Sequence, residues 1–230
     1  MTTRKESFVA GEYYHIYNRG NSKQKIFLDD EDYDRFAKLL YLCNSEKSFK
    51  FRDDIVNQKI DAYDFDRGER IVSIGAWVLM PNHFHLYITP FHRSFLGDES
   101  VHIFMKKLCT AYSMYFNKKY NRTGKLFEGP FKSIHIENDE HAKYNFSYIH
   151  LNPVKLIDSM WKENGVKNIR KTLDFLDNYK WGSYLDYKGV RRLENKIVYS
   201  KDFPDYFLNP DVFNEEIFGW LNYGDNYGDI

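Results

Sequence analysis

Two β-rich apolar runs in immediate succession, Ile71–Leu79 and His83–Thr89, constrain this chain more than any other feature. Only Met80-Pro81-Asn82 separates them, and proline has no N–H to give a strand ladder. So short a break between two such runs predicts an antiparallel pair. The neighbouring segments extend the pattern. Tyr13–Asn18 reads as a strand ending in the turn Arg19-Gly20-Asn21-Ser22. Asp29–Cys43 places Tyr33, Phe36, Ala37, Leu39, Leu40 and Cys43 at helical spacing, with acids in its first turns to complement the helix dipole. Asn44–Arg70 is polar and mixed in sign, an insertion or long surface loop. Ser100–Tyr120 predicts a long helix, Phe131–Ile136 a further strand, and Asn138 caps a helix that Pro153 stops at about Asn152. The order strand, helix, two strands, helix, strand, helix predicts an α+β fold with helices on one face of an antiparallel sheet. Residues 161–230 form a C-terminal extension, with an acidic tail, on a main domain of residues 1–160 that carries the polar insertion at about 44–70.

Composition removes several classes. The 230 residues hold 33 Lys and Arg against 33 Asp and Glu, with 43% hydrophobic and 29% charged residues. Disordered chains are less hydrophobic and carry more net charge. No window approaches the roughly 18 uninterrupted apolar residues of a membrane span. The opening MTTRKESFVAGEYY lacks the apolar core of a signal peptide. Two cysteines, Cys43 and Cys109, argue against a disulfide framework and for a reducing cytoplasm. With 19 Tyr, 19 Phe and 4 Trp, most rings must lie in the core. Charge is unevenly spread. From Phe104 to His135 seven basic residues face Glu128 alone, and from Lys201 to Ile230 seven acids face Lys201 alone. That split fits either a basic partner-binding face with an acidic tail or two unrelated solvated surfaces.

Two groups of side chains can do chemistry. In His83-Phe84-His85, strand alternation projects both imidazoles to one face and Phe84 to the other. Paired imidazoles suit a divalent metal, although strand histidine pairs are also found merely hydrogen-bonded. In Tyr148-Ile149-His150-Leu151-Asn152, Tyr148 and Asn152 share a helix face and His150 points about 200° away from Tyr148. Asn152 could supply an oxygen ligand, or could simply end the helix.

Together these groups carry a resemblance. Tyr14-His15-Ile16-Tyr17-Asn18-Arg19-Gly20, WVLMPNHFHLYI from Trp77, AYSMYFNKKYNRTGKLFEGPFKS from Ala111, YIHLNPVK from Tyr148 and WGSYLDY from Trp181 resemble the single-tyrosine HUH transposases, in particular the REP-associated branch. The likeness spans about residues 8–190. It implies a ferredoxin-like, RRM-like sheet and a metal-dependent strand-cleaving and strand-joining enzyme. His83, His85 and Asn152 would hold Mg²⁺ or Mn²⁺, and Tyr148 would attack phosphorus and stay linked to the 5′ side of the break. The implied substrate is single-stranded DNA with a nearby hairpin, handled in a bacterial cytoplasm at the nucleoid by a monomer or a homodimer. Candidate phosphate contacts are Lys106, Lys118, Lys119, Arg122, Lys125 and Lys132, with Arg19 and Asn82 nearer the site. A non-catalytic nucleic-acid-binding protein of the same fold is the alternative, and a nuclease using water a third. Glu128-Gly129-Pro130 stands where the family usually reads Gln-Gly-Arg, which removes one expected basic contact. Tyr144, four residues before Tyr148, resembles a two-tyrosine arrangement, but the YIHLNP match selects Tyr148. His15, His92, His102, His135 and His141 are expected in surface or core roles.

Overall fold

The structure, a computed structural model, describes residues 7–205 and 209–223. Four strands, β1 (Tyr13–Arg19), β2 (Val72–Met80), β3 (His83–Pro90) and β4 (Lys132–Ile136), form one antiparallel sheet in the order β2-β3-β1-β4. This is the ferredoxin-like order, and the predicted β2–β3 pair turns at Pro81-Asn82. Helices α1 (Asp30–Leu42) and α2 (Ser100–Lys119) also fall on their predicted segments. Asp29 caps α1, its carboxylate accepting from the Asp32 N–H at 3.1 Å. The residue after β1 is Gly20, where a Cβ would run into the Gln24 carbonyl.

Register divides the sheet into two faces. Directly opposed residues share a face, so Ile16, Leu86, Phe84, Trp77 and Leu79 point one way. These are fully buried and pack with Phe36 and Leu40 of α1 and Phe104, Leu108 and Tyr112 of α2. Tyr13, His15, Tyr17, His83, His85, Tyr87, Val78 and Met80 point the other way. Gly75 is the extra residue of a bulge between Ile74 and Ala76 that keeps β2 in phase with β3 on both sides.

α1 and α2 cover one face as expected. Helix α3 (Asp139–Leu151) lies on the opposite face, joined by the extension. The Asn138 side chain caps it by accepting from the His141 N–H at 2.8 Å, and Pro153 opens a 3₁₀ turn over Asn152–Leu156. The extension contributes α4 (Trp161–Asn164), α5 (Ile169–Asn178), α6 (Tyr184–Tyr187) and α7 (Pro210–Tyr223). Phe146 and Ile149 of α3 share a core with Leu176, Tyr187, Phe213 and Ile217 of the extension and Ala76, Val78 and Tyr87 of the sheet. Residues after 161 therefore share with α3 the covering of the sheet's second face. They also close the β2 edge: the Leu79 N–H donates to the Trp181 carbonyl and the Ser183 N–H to the Trp77 carbonyl, at 2.9 and 2.8 Å. An edge strand so covered offers no ladder to another chain.

Of the acidic tail, Asp202, Asp205, Asp211, Glu215 and Glu216 are described, while Asp225 and Asp229 lie outside the described residues. Asp202 is paired with Arg70 at 2.7 Å and with Ser73, so it anchors the extension to β2.

Candidate active site

The side chains singled out for chemistry meet where α3 crosses the sheet. β3 presents His83 and His85 with ring centroids 4.9 Å apart. The Tyr148 ring from α3 stands edge-on to His85 at 5.4 Å and to His15 at 6.0 Å. Asn152, at the end of α3, is fully buried. All of these groups come from one chain.

Each site imidazole has its Nδ1 engaged. His83 Nδ1 lies 2.6 Å from the Asn82 carboxamide oxygen, which can only accept, so His83 carries its proton on Nδ1. His85 Nδ1 lies 2.8 Å from His15 Nε2. The buried His85 Nε2 has no hydrogen-bond partner, and the Asn152 carboxamide makes no hydrogen bond of ordinary geometry, although it lies close enough to His83 and Tyr148 to bias both. Three orphaned polar atoms in one place are unusual, because buried polar groups are ordinarily satisfied. Among the described residues no three His, Cys, Asp or Glu side chains gather as metal ligands. A cation held here would therefore take two imidazole nitrogens and the Asn152 amide oxygen, and the orphaned atoms fit that demand.

Burial pushes His83 down to about 4, with a smaller lift from the nearby Asn152 amide, and His15 down to about 4, with His141 adding to the effect. His85 falls well below the ordinary imidazole value through burial first and through His15 and His83 next. All three are neutral at pH 7, the form that ligates metal. Burial raises the Tyr148 phenol, Asn152 pulls it down, and Tyr144 and Tyr17 add to the rise. Two cations stand over that ring, Lys162 Nζ at 4.3 Å and Lys155 Nζ at 5.8 Å from its centroid. Tyr144 stacks on Tyr148 at 6.2 Å and accepts a hydrogen bond from Lys162 at 3.2 Å. His150 points elsewhere: its Nε2 lies 2.7 Å from Ser183 Oγ and its Nδ1 2.9 Å from the Phe146 carbonyl.

The expected phosphate contacts separate. Lys132 projects from β4 on the site face, opposite Tyr17, and Lys125 is exposed in the loop passing the end of β1. Arg19 lies opposite His83, but Glu128 holds it in a bidentate pair. Asn82 serves His83 and the Lys23 carbonyl. The Lys119 ammonium is bound by Asp29, Glu31 and Asp32, at 2.7, 3.0 and 2.9 Å, in the knot that joins α1 to α2. Arg122 is engaged with Gln24 at 3.1 Å. Lys106 and Lys118 are exposed on α2, beyond the opposite face of the sheet from Tyr148. His15, expected in a surface or core role, is the functional neighbour that sequence reading missed; only the cross-strand register puts it beside His85. Lys155 and Lys162 were missed too, the first inside the YIHLNPVK motif and the second in the weakly patterned extension.

The sequence matches no protein-family model and no curated protein sequence. Similarity appears among solved structures. The chain is similar to a REP-associated tyrosine transposase bound to a REP hairpin, with 16% identity and a TM-score of 0.46 over 84% of this chain and 90% of that one. It is also similar to a candidate transposase from Deinococcus radiodurans, with 14% identity and a TM-score of 0.33 over 69% of this chain and 96% of that one. A tRNA(His) guanylyltransferase from Saccharomyces cerevisiae has 12% identity and a TM-score of 0.34 over 92% of this chain and 86% of that one.

Proposed function

We propose that this chain is a transposase-like enzyme that cuts and rejoins single-stranded, hairpin-bearing DNA through a covalent Tyr148–phosphate link. The observation that carries the reading is the placement of the Tyr148 ring 5.4 Å from His85, beside the orphaned His85 Nε2 and Asn152 amide. The substrate class comes from the motif resemblance, and the site residues are those the motifs select.

His83 and His85, through Nε2, and Asn152, through its amide oxygen, would hold Mg²⁺ or Mn²⁺. Such an ion supplies Lewis-acid polarisation of the scissile phosphate. The chain's own residues prepare the rest. For His85 to offer a lone pair at Nε2, its proton must sit on Nδ1 and be donated to His15 Nε2. Asn82 imposes the same tautomer on His83. His15 and Asn82 are thus positioning residues, fixing which nitrogen each imidazole turns to the site. Lys162 and Lys155 favour negative charge at the phenol, which burial alone would keep protonated. Tyr148 Oη attacks phosphorus, the phenolic proton leaves to solvent, and the bond from phosphorus to the 3′ oxygen breaks, that oxygen taking a proton from solvent to become a 3′ hydroxyl. Attack by a 3′ hydroxyl on the phosphotyrosine reverses the step, so no external energy source is needed. Lys125 and Lys132, with Arg19 once Glu128 releases it, would track the phosphates on the site side.

Incubation with Mn²⁺ and hairpin-bearing single-stranded DNA should give a protein–DNA adduct on a denaturing gel, absent in Tyr148→Phe. Cleavage without adduct would assign attack to water, and binding without cleavage would leave a non-catalytic module.

A further inference from the structure

A cavity of about 940 Å³ lies on the far side of the molecule from Tyr148, walled by α1, α2 and the 44–70 insertion. The insertion turns through a π-helical segment, Phe51–Val56, and is held to α2 by Lys107, whose ammonium donates to the Ser45 and Lys47 carbonyls. Its floor is aliphatic, with Leu39 from α1 and Ile103, Ala111 and Met114 from α2. Met114 is 69% exposed and Val56, on the insertion, 55%. The charged residues lining the cavity are all basic. Two are committed internally: Lys107 as above, and Arg35, whose guanidinium lies 3.5 Å from the Phe51 ring centroid and 4.7 Å from that of Tyr115. The other four, Lys50, Arg52, Lys106 and Lys118, are exposed, and among the described residues none makes an ion pair.

An occupant must therefore offer an apolar body and negative charge along its flanks. Single-stranded nucleic acid meets the second demand and fits the first poorly: stacking of successive bases needs a run of open rings, and of the lining rings Phe49, Phe51 and Tyr115 the last two already hold Arg35. The groove also has the shape of a helix seat. Ile103, Lys106, Thr110, Met114 and Lys118 follow one face of α2 from residue 103 to residue 118, about 22 Å of helix at 1.5 Å per residue. A chain with 33 basic and 33 acidic residues has gathered a one-signed rim around an aliphatic trough.

We propose that this groove docks an acidic amphipathic helix of a partner protein, its apolar stripe on Leu39, Ile103 and Met114 and its carboxylates against Lys50, Arg52, Lys106 and Lys118. The charges steer and orient the partner, and the aliphatic floor supplies the buried area. This surface is independent of the DNA chemistry at Tyr148, so either reading can fail alone.

The test uses the full chain and a fluorescent helical peptide about 18 residues long, with leucine at every third or fourth position and glutamate elsewhere. Three probes accompany it: the same peptide with lysine for glutamate, a short oligothymidine, and light scattering of the protein alone. The glutamate peptide should bind at low salt, and Lys106→Glu with Lys118→Glu should weaken it roughly tenfold. Met114→Glu should also weaken it, while all variants keep the parent melting temperature. Equal binding of both peptides would overturn the charge argument. Competition by oligothymidine through the same residues would reassign the groove to nucleic acid. Self-association lost in Met114→Glu would reassign it to a second copy. No binding of the glutamate peptide would overturn the proposal outright.

Discussion

At the scale of single residues, the chemistry turns on which nitrogen each imidazole shows to the site. His15→Ala leaves His85 Nδ1 unpaired, and Asn82→Ala does the same to His83. Each should weaken Mn²⁺ binding by about 10- to 100-fold, read by titration calorimetry on the Tyr148→Phe protein. His15→Gln, whose carbonyl can accept the same proton, should recover part of the loss. Unchanged affinity in His15→Ala would remove the positioning role. The Arg19–Glu128 pair gives a second prediction. Glu128→Gln takes away one negative charge and releases Arg19, so single-stranded DNA affinity should rise several-fold, with a steeper salt dependence. An unchanged salt slope would show that Arg19 stays off the phosphates. Strand and helix periodicities put His83 with His85 and Tyr148 with Asn152, but that the two pairs meet was implied only by the motif resemblance. His15 was not legible, because its role exists only through the pairing of Tyr17 with His85 across two strands far apart in sequence. The ion pairs of Lys119 were not legible either, because a cation on a predicted helix face gives no hint that Asp29, Glu31 and Asp32 from another segment close around it.

At the scale of elements, α3 is the part whose position matters most, and the extension holds it to β2. Ser183 Oγ meets His150 Nε2 at 2.7 Å and the Trp77 N–H at 3.0 Å, tying α3, the extension and β2 together in a buried place. Ser183→Ala leaves two polar groups unsatisfied there and should cost about 1–3 kcal/mol in urea unfolding. Gly75 lets the extension approach β2 closely, since a Cβ at this position would lie 2.9 Å from the Phe203 ring, which seals the bulge from above. Gly75→Ala should cost about 1–3 kcal/mol by overpacking. A loss below measurement in either variant would mean that the extension is more loosely seated than these contacts require. Each strand and helix from β1 to α3 was visible in hydrophobic period, proline breaks and caps. The face that α3 takes was not, since an amphipathic helix says which of its own sides is apolar and nothing about which side of a sheet receives it. The extension was poorly legible for a related reason: its place depends on distant partners, with Trp181 stacked on Tyr33 of α1 and Tyr187 and Phe213 packed on Phe146 of α3, rather than on local pattern.

At the scale of the whole molecule, the sheet separates two surfaces with different chemistry. One carries neutral, buried imidazoles, a phenol under two lysines and a buried carboxamide; the other carries an aliphatic trough with a basic rim. Among the described residues no helix is long and apolar enough to cross a membrane. The net charge of zero conceals this arrangement, because the basic run is divided between the site side, the α1–α2 knot and the far groove. The catalytic reading stands or falls with the atom that bonds to DNA. The most direct measurement is mass spectrometry of the trapped adduct after trypsin, reading the peptide from Tyr144 to Lys155 by fragmentation. A nucleotide phosphate on the phenolic oxygen of Tyr148, with Tyr144 unmodified, is the expected result. Modification of Tyr144 instead, or cleaved DNA with the whole peptide unmodified, would contradict it.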